Sequence, residues 1–197
     1  WTYMNLGKNK IAVVGHTKGI GKAICDLYNK KKYEVLGMSR SNGFDLVHDQ
    51  EKILEKIEGY DLVVLNAHAD RGQLNLLKRI YGLYAFDKMK VAVITSTSGL
   101  DEEPDYSQFQ IWDKFKYVQY CEIKKELIGY IEELQQELIS KTLSVYDVCP
   151  DVVDTDMIKG LWQDLPKLTA HEVADAVRYC FESTYNVNKI VIQKNAK

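Results

Sequence analysis

With 197 residues, the chain is long enough for one domain with a sizeable core and too short for two comfortable ones. A net charge of −2 and a pI near 6.1 exclude a global basic footprint for nucleic acid, and no apolar run approaches a membrane span. Cys25, Cys121, Cys149 and Cys180 lie far apart, with neither disulfide nor zinc spacing, so reduced core thiols and no bound metal are expected.

Ahead of Met4, the residues Trp1, Thr2 and Tyr3 form no signal-like pattern, and a cytoplasmic protein is the expectation. Residues 11–14, IAVV, read as a buried strand, and glycines at Gly15, Gly19 and Gly21 follow before an amphipathic helix that begins KAICDLY. In that frame Gly15 makes a sharp turn, Gly19 lets a phosphate approach the backbone and Gly21 lets helix pack on strand. The free N–H groups of the first helical turn then face the anion. A P-loop fails at two positions, because His16 stands where its first glycine belongs and Ala23 where its hydroxyl residue belongs.

Residues 33–38, YEVLGM, form a second strand that ends at Ser39, Arg40 and Ser41. In a dinucleotide site this tip meets the adenosine ribose; a carboxylate there suits NAD, and an arginine suits the 2′-phosphate of NADP. Ser39 replaces the acid, Arg40 follows, and Lys18 offers a second positive charge on the same side, so NADP(H) is favoured over NAD(H). Residues 44–46 are expected as a very short third strand, 49–57 as a helix and 61–66, DLVVLN, as a strand for a sheet covered on both faces. Next come a helix over 74–89, a strand over 90–95 and an acidic, aromatic stretch over 100–115. A long helix over 115–140, a strand over 143–148, a lid-like stretch over 157–168, a helix over 170–183 and a strand over 188–193 complete the chain. Strands alternate with helices throughout, without repeats, which predicts a single-domain, doubly wound α/β fold of the Rossmann type.

Tyr120 and Lys124, spaced i, i+4, share a helix face, where an ammonium favours phenolate and brings the tyrosine toward acid–base work. With 13 tyrosines, chance supplies about one or two such pairs, and the spacing recurs at Tyr28/Lys32 and Tyr84/Lys88. Position chooses among them. Over nearly its whole length the sequence resembles the short-chain dehydrogenase/reductase family. GHTKGIG at 15–21 matches the GxxxGxG turn, Asp45-Leu46 the acidic-aliphatic pair at adenine, and Asn66-Ala67-His68 the NAG segment. Ser96 falls on the catalytic serine, Tyr120 to Lys124 on YxxxK, and Pro150 to Met157 on the PGxxxTxM segment.

The resemblance implies that Tyr120 transfers the proton and Ser96 holds the substrate oxygen. Lys124 holds the nicotinamide ribose and lowers the tyrosine pKa, and Asn75 supplies the fourth catalytic position. It implies cofactor contacts from Gly15, Thr17, Lys18, Gly19, Ile20, Gly21, Ser39, Arg40, Ser41, Asp45, Leu46, Asn66, Ala67, His68, Pro150, Val153 and Thr155. It further implies an NADP(H)-dependent oxidoreductase acting on a small carbonyl or alcohol, as a homodimer or homotetramer on the helices at 74–89 and 115–140. Ile128 and Tyr130 offer apolar surface off the main stripe of the second of these. His68 and Asp151 replace family glycines, which keeps open an alternative, a catalytically idle NADP(H)-binding sensor. In the insertion over 100–116, Tyr106, Phe109 and Trp112, with Trp162 of the lid, form either a satellite core or a pocket wall. Asp101, Glu102, Glu103 and Asp105 predict a negative cleft mouth and hence a neutral or cationic, partly apolar substrate.

Overall fold

Long apolar runs need cover on both sides, and the strands receive it. The computed structural model describes residues 9–102, 107, 109 and 111–195, with the side chains of 111 and 112 excepted. Residues 1–8, Glu103, Asp105, Tyr106 and the side chain of Trp112 therefore lie outside the described residues. Six parallel strands form one sheet: β1 (Lys10–Val14), β2 (Glu34–Met38), β3 (Leu62–Leu65), β4 (Lys90–Ile94), β5 (Ser144–Pro150) and β6 (Lys189–Ile192), in the order β2-β1-β3-β4-β5-β6. Among the described residues five α-helices flank them: α1 (Gly19–Lys30), α2 (Gln50–Ile57), α3 (Gly72–Tyr84), α4 (Ile111–Glu137) and α5 (Ala170–Glu182).

Alternation along each strand feeds two core layers. Ala12 and Val14 of β1, Val63 and Leu65 of β3, and Val91 and Val93 of β4 pack with Ile53 of α2, Leu77 of α3 and Leu127 of α4. Ile11, Val13, Val64 and Ala92 point the other way, onto Ile24 of α1 and Val177 of α5. The chain runs outward from β1 to β2 and then returns across β1 to β3. That reversal opens a crevice at the carboxyl ends of β1 and β3. The expected doubly wound α/β architecture is what the chain adopts.

The short strand expected over 44–46 is absent. Gly43 turns the chain at φ +82°, and Asp45 then outcompetes any ladder: its Oδ1 accepts from the N–H groups of Val47 (2.8 Å) and His48 (3.1 Å). Asp49 Oδ2 in turn accepts from the Asp45 N–H, so these residues lead directly into α2 and the sheet ends at β2. The long helix begins at Ile111, ahead of the expected 115. Ile128, counted as spare apolar surface for a partner, is only 4% exposed, and Tyr130 is half-buried under the ammonium of Lys78. No helix among the described residues is long and apolar enough to cross a membrane.

Candidate active site

The glycine turn locks the crevice floor. Gly15 has φ +93° and accepts at its carbonyl from Asn66 Nδ2 (2.8 Å); a Cβ on it would stand 2.6 Å from the Ala67 nitrogen. A Cβ on Gly21 would fall 1.9 Å from the Gly15 carbonyl oxygen, so α1 can lie against the turn only because that residue is glycine. Thr17 and Lys18 stand exposed before the helix, while Gly19 and Ile20 line the cleft it opens into. Lys18, expected beside Arg40, instead pairs with Asp156 at 3.3 Å, and both side chains are solvent-exposed. Arg40 is exposed on the single 3-10 turn after β2, where Ser39 and Ser41 join through their hydroxyls at 2.8 Å. Asp45 is held below the usual carboxylate range by the two N–H groups it accepts from. Leu46, 5% exposed, packs against Gly72.

Opposite the turn, Pro150 closes β5, Val153 bridges to Leu168, and the Thr155 methyl faces Gly19. Between these walls lies a cleft of about 1290 Å³ that reaches Ser96, Tyr120 and Lys124. Ser96 follows β4, and its Oγ accepts from the Ser98 N–H (3.2 Å), leaving its own proton for another acceptor. A hydrogen bond joins Ser96 to the Tyr120 phenol, which burial nonetheless pushes above the usual tyrosine range. The expected lowering of that phenol by Lys124 is not found. The ammonium lies over the ring face, 5.7 Å from its centroid, because it is anchored elsewhere.

Its anchors are Gln73 Oε1 and the Ile94 carbonyl, each at 2.9 Å. Gln73 is 2% exposed and donates its amide to the carbonyls of Leu65 (2.7 Å) and Ile94 (3.0 Å), tying the lysine to the ends of β3 and β4. Burial brings Lys124 down to about 8, opposed by the buried carboxylate of Asp147. His68 meets Tyr120 edge-on, 4.9 Å between ring centroids; burial, then the neighbouring Lys124, brings it down to about 4, so it is neutral near pH 7. Asn75 is exposed on α3 and does not join this group. Gln73, which sequence reasoning passed over, occupies the buried side of that helix. A signal was available: Gln73 lies at i−4 and i−7 from Leu77 and Ile80, on the apolar stripe.

Known structures share this fold. A short-chain dehydrogenase/reductase from Vibrio parahaemolyticus superposes with a TM-score of 0.73 at 18% identity, covering 94% of this chain and 100% of its own. A short-chain dehydrogenase from Burkholderia cenocepacia in complex with NADP gives 0.75 at 14%, covering 97% and 90%. The chain has the fold of the short-chain dehydrogenases/reductases. A 3-alpha-hydroxysteroid dehydrogenase from Pseudomonas, complexed with NADH, has the same fold, with a TM-score of 0.71 at 15% identity and coverage of 93% and 94%. No protein-family model and no curated protein matches the chain. Within the short-chain dehydrogenase/reductase fold, the cleft of this chain is lined by Asp101, Asp113, Asp151, Asp156 and Asp164 alongside the exposed Lys18, Lys116 and Lys159, while Glu103 and Asp105 of the expected acidic mouth lie outside the described residues.

Proposed function

We propose that the protein is an NAD(P)-dependent oxidoreductase interconverting a carbonyl and an alcohol, working as a single domain with Asp101, Phe109, Asp113 and Lys116 and the segment at 157–168 bordering its cleft. The observation that carries this reading is the meeting of Ser96, Tyr120 and Lys124 in one cleft with the glycine turn that opens α1. The residues fit a dinucleotide: a Cβ on Gly19 would stand 3.0 Å from Thr155 Cγ2, so glycine keeps a channel open between turn and facing segment. Gly15, Thr17, Lys18, Gly19, Ile20 and Gly21 would hold the pyrophosphate, and Ser39, Arg40, Ser41, Asp45 and Leu46 the adenosine end. Asn66, Ala67 and His68 would form the floor, with Pro150, Val153 and Thr155 on the nicotinamide side. Arg40, on a strand tip without a carboxylate, favours NADP(H) over NAD(H).

A bound nicotinamide supplies the hydride. Tyr120 gives its phenolic proton to the substrate oxygen as the carbonyl is reduced, and Ser96 donates a hydrogen bond to the same oxygen. Lys124, held at the cleft by Gln73 and the Ile94 carbonyl, would hold the nicotinamide ribose. Steady NADPH oxidation across a panel of carbonyls tests the reading. Tyr120→Phe should cut turnover by about 10²-fold or more while cofactor binding persists. A second reading, an idle NADP(H)-binding sensor, draws on the burial that keeps the Tyr120 phenol high and on His68 against its ring. Tight NADPH binding without turnover of any carbonyl would favour it. The exposed Leu83 and Phe86 at the end of α3 support a homodimer or homotetramer built on α3 and α4.

A further inference from the structure

Aromatic rings lead away from Tyr120 along one wall of the cleft. Tyr117, one helical turn earlier on α4, lies nearly parallel to Tyr120 at 16°, with centroids 6.3 Å apart. Phe109 stacks on the far face of this row against Tyr117, at 4.4 Å and 12°. Trp162 stands edge-on to both, 5.4 Å from Phe109 and 5.7 Å from Tyr117. The phenol of Tyr117 is joined to Ser98 Oγ at 3.1 Å, and the Ser98 N–H bonds Ser96 Oγ, so the ring wall and the oxygen-holding serine are parts of one hydrogen-bonded unit.

Trp162 occupies this position at a conformational cost. Its φ of +46° is unfavourable for a bulky side chain, and Gly160, two residues earlier, sits at φ +88°. All of these rings remain half-buried, and Met157 (70% exposed) and Leu165 (49% exposed) add apolar surface at the same mouth. Phe109, Tyr117, Tyr120 and Trp162 all line the cleft, where a flat apolar group can meet the part of their surface turned toward it.

We propose that the substrate carries a planar aryl or conjugated group next to its carbonyl, held against the Tyr117–Phe109 stack and the edge of Trp162 while the carbonyl oxygen meets Ser96 and Tyr120. This rests on the oxidoreductase reading for the carbonyl alone; the aryl slot stands on the ring geometry. Five aspartates line this cleft against three exposed lysines, which disfavours a polycarboxylate, and the wall offers apolar contact instead.

The test compares acetophenone with cyclohexyl methyl ketone on the full chain, by ligand-observed NMR titration with NADP⁺ present and separately by NADPH oxidation. Acetophenone should bind about tenfold more tightly than its saturated counterpart. Trp162→Leu should bring that ratio to within about twofold, and Phe109→Leu serves as a second variant should the first fail to fold. Equal binding of the two ketones by the native protein, or a preference that survives both substitutions, overturns the slot. Selective binding without turnover overturns the oxidoreductase reading and upholds the slot; turnover without selectivity does the reverse.

Discussion

Replacing Gln73 by leucine keeps the side-chain bulk and removes a buried amide that links three elements. The Leu65 carbonyl loses a donor, and the Lys124 ammonium loses one of its two protein acceptors, keeping only the Ile94 carbonyl. A charge-assisted bond contributes about 1.5–3 kcal/mol and a neutral one about 1 kcal/mol, so the variant should be less stable by about 2.5–4 kcal/mol. The effect should also depend on pH. In the native state Lys124 sits near 8, against an ordinary lysine value of 10.5. The unfolded chain therefore binds more protons between those values, and stability from this group rises as pH climbs from 8 toward 10.5. Below pH 8 the native state carries the full cost of burying the ammonium, about 3 kcal/mol. Losing the Gln73 acceptor disfavours the charged form further, so the rise should begin about one to two pH units lower. The alkaline limb of turnover should move in the same direction, whereas Gln73→Glu, which puts a carboxylate against the ammonium, should move it the other way. Urea unfolding from pH 6 to 10, with pH–rate profiles of all three proteins, measures this. A Gln73→Leu variant within about 0.5 kcal/mol of the parent, or identical alkaline limbs in the three proteins, refutes the reasoning.

Three further outcomes are expected. Arg40→Asp should reverse or abolish a preference for NADPH, since a lost charge-assisted contact to phosphate costs about 1.5–3 kcal/mol; equal NADPH and NADH affinities in the native protein would remove the assignment. His68 is held neutral down to about 4, below its ordinary 6.5, so the unfolded chain takes up its proton first as pH falls through that window and native stability drops. His68→Asn should lessen this acid loss in urea unfolding at pH 7, 5.5 and 4.5, and an unchanged slope would show that the histidine does not cause it. Light scattering at micromolar concentration should find a dimer or tetramer that Leu83→Glu with Phe86→Glu dissociates, and a single 22.7 kDa native species ends the claim.

What could be read from the chain followed the strength of its local signals. The run IAVV and the glycines after it specify β1, the turn and α1 together, because a covered strand must be apolar on both faces and two of those glycines admit no Cβ. At 44–46 the apolar signal was only three residues long, and the carboxylates of Asp45 and Asp49 offered the backbone nearer partners than a sheet edge. Asn75 was expected from the family resemblance by residue type, and Gln73 was passed over; two positions along a helix turn a side chain by most of a half circle, so Asn75 faces solvent while Gln73 is buried. The i, i+4 spacing brings the Lys124 ammonium over the Tyr120 ring, yet its anchoring depends on Ile94 and Gln73, contacts that no local spacing encodes.

The early end of the sheet bears on how the protein behaves in concentrated solution. Among the described residues β2 has a single neighbouring strand, β1, so its outer backbone groups face water as a template for another strand. The edge is five residues long and begins at an exposed glutamate, Glu34, just after the basic run Lys30-Lys31-Lys32. The exposed Lys30 and Lys32 before β2 and the exposed Arg40 after it place like charge at both ends of any two such edges brought together, a repulsion that reaches about 10 Å in 0.1 M salt and only about 3 Å in 1 M. Colloidal stability at this edge is thus a property of the buffer as much as of the fold. Dilute salt keeps the molecules apart, and strong salt takes away the guard that a third strand would have made unnecessary.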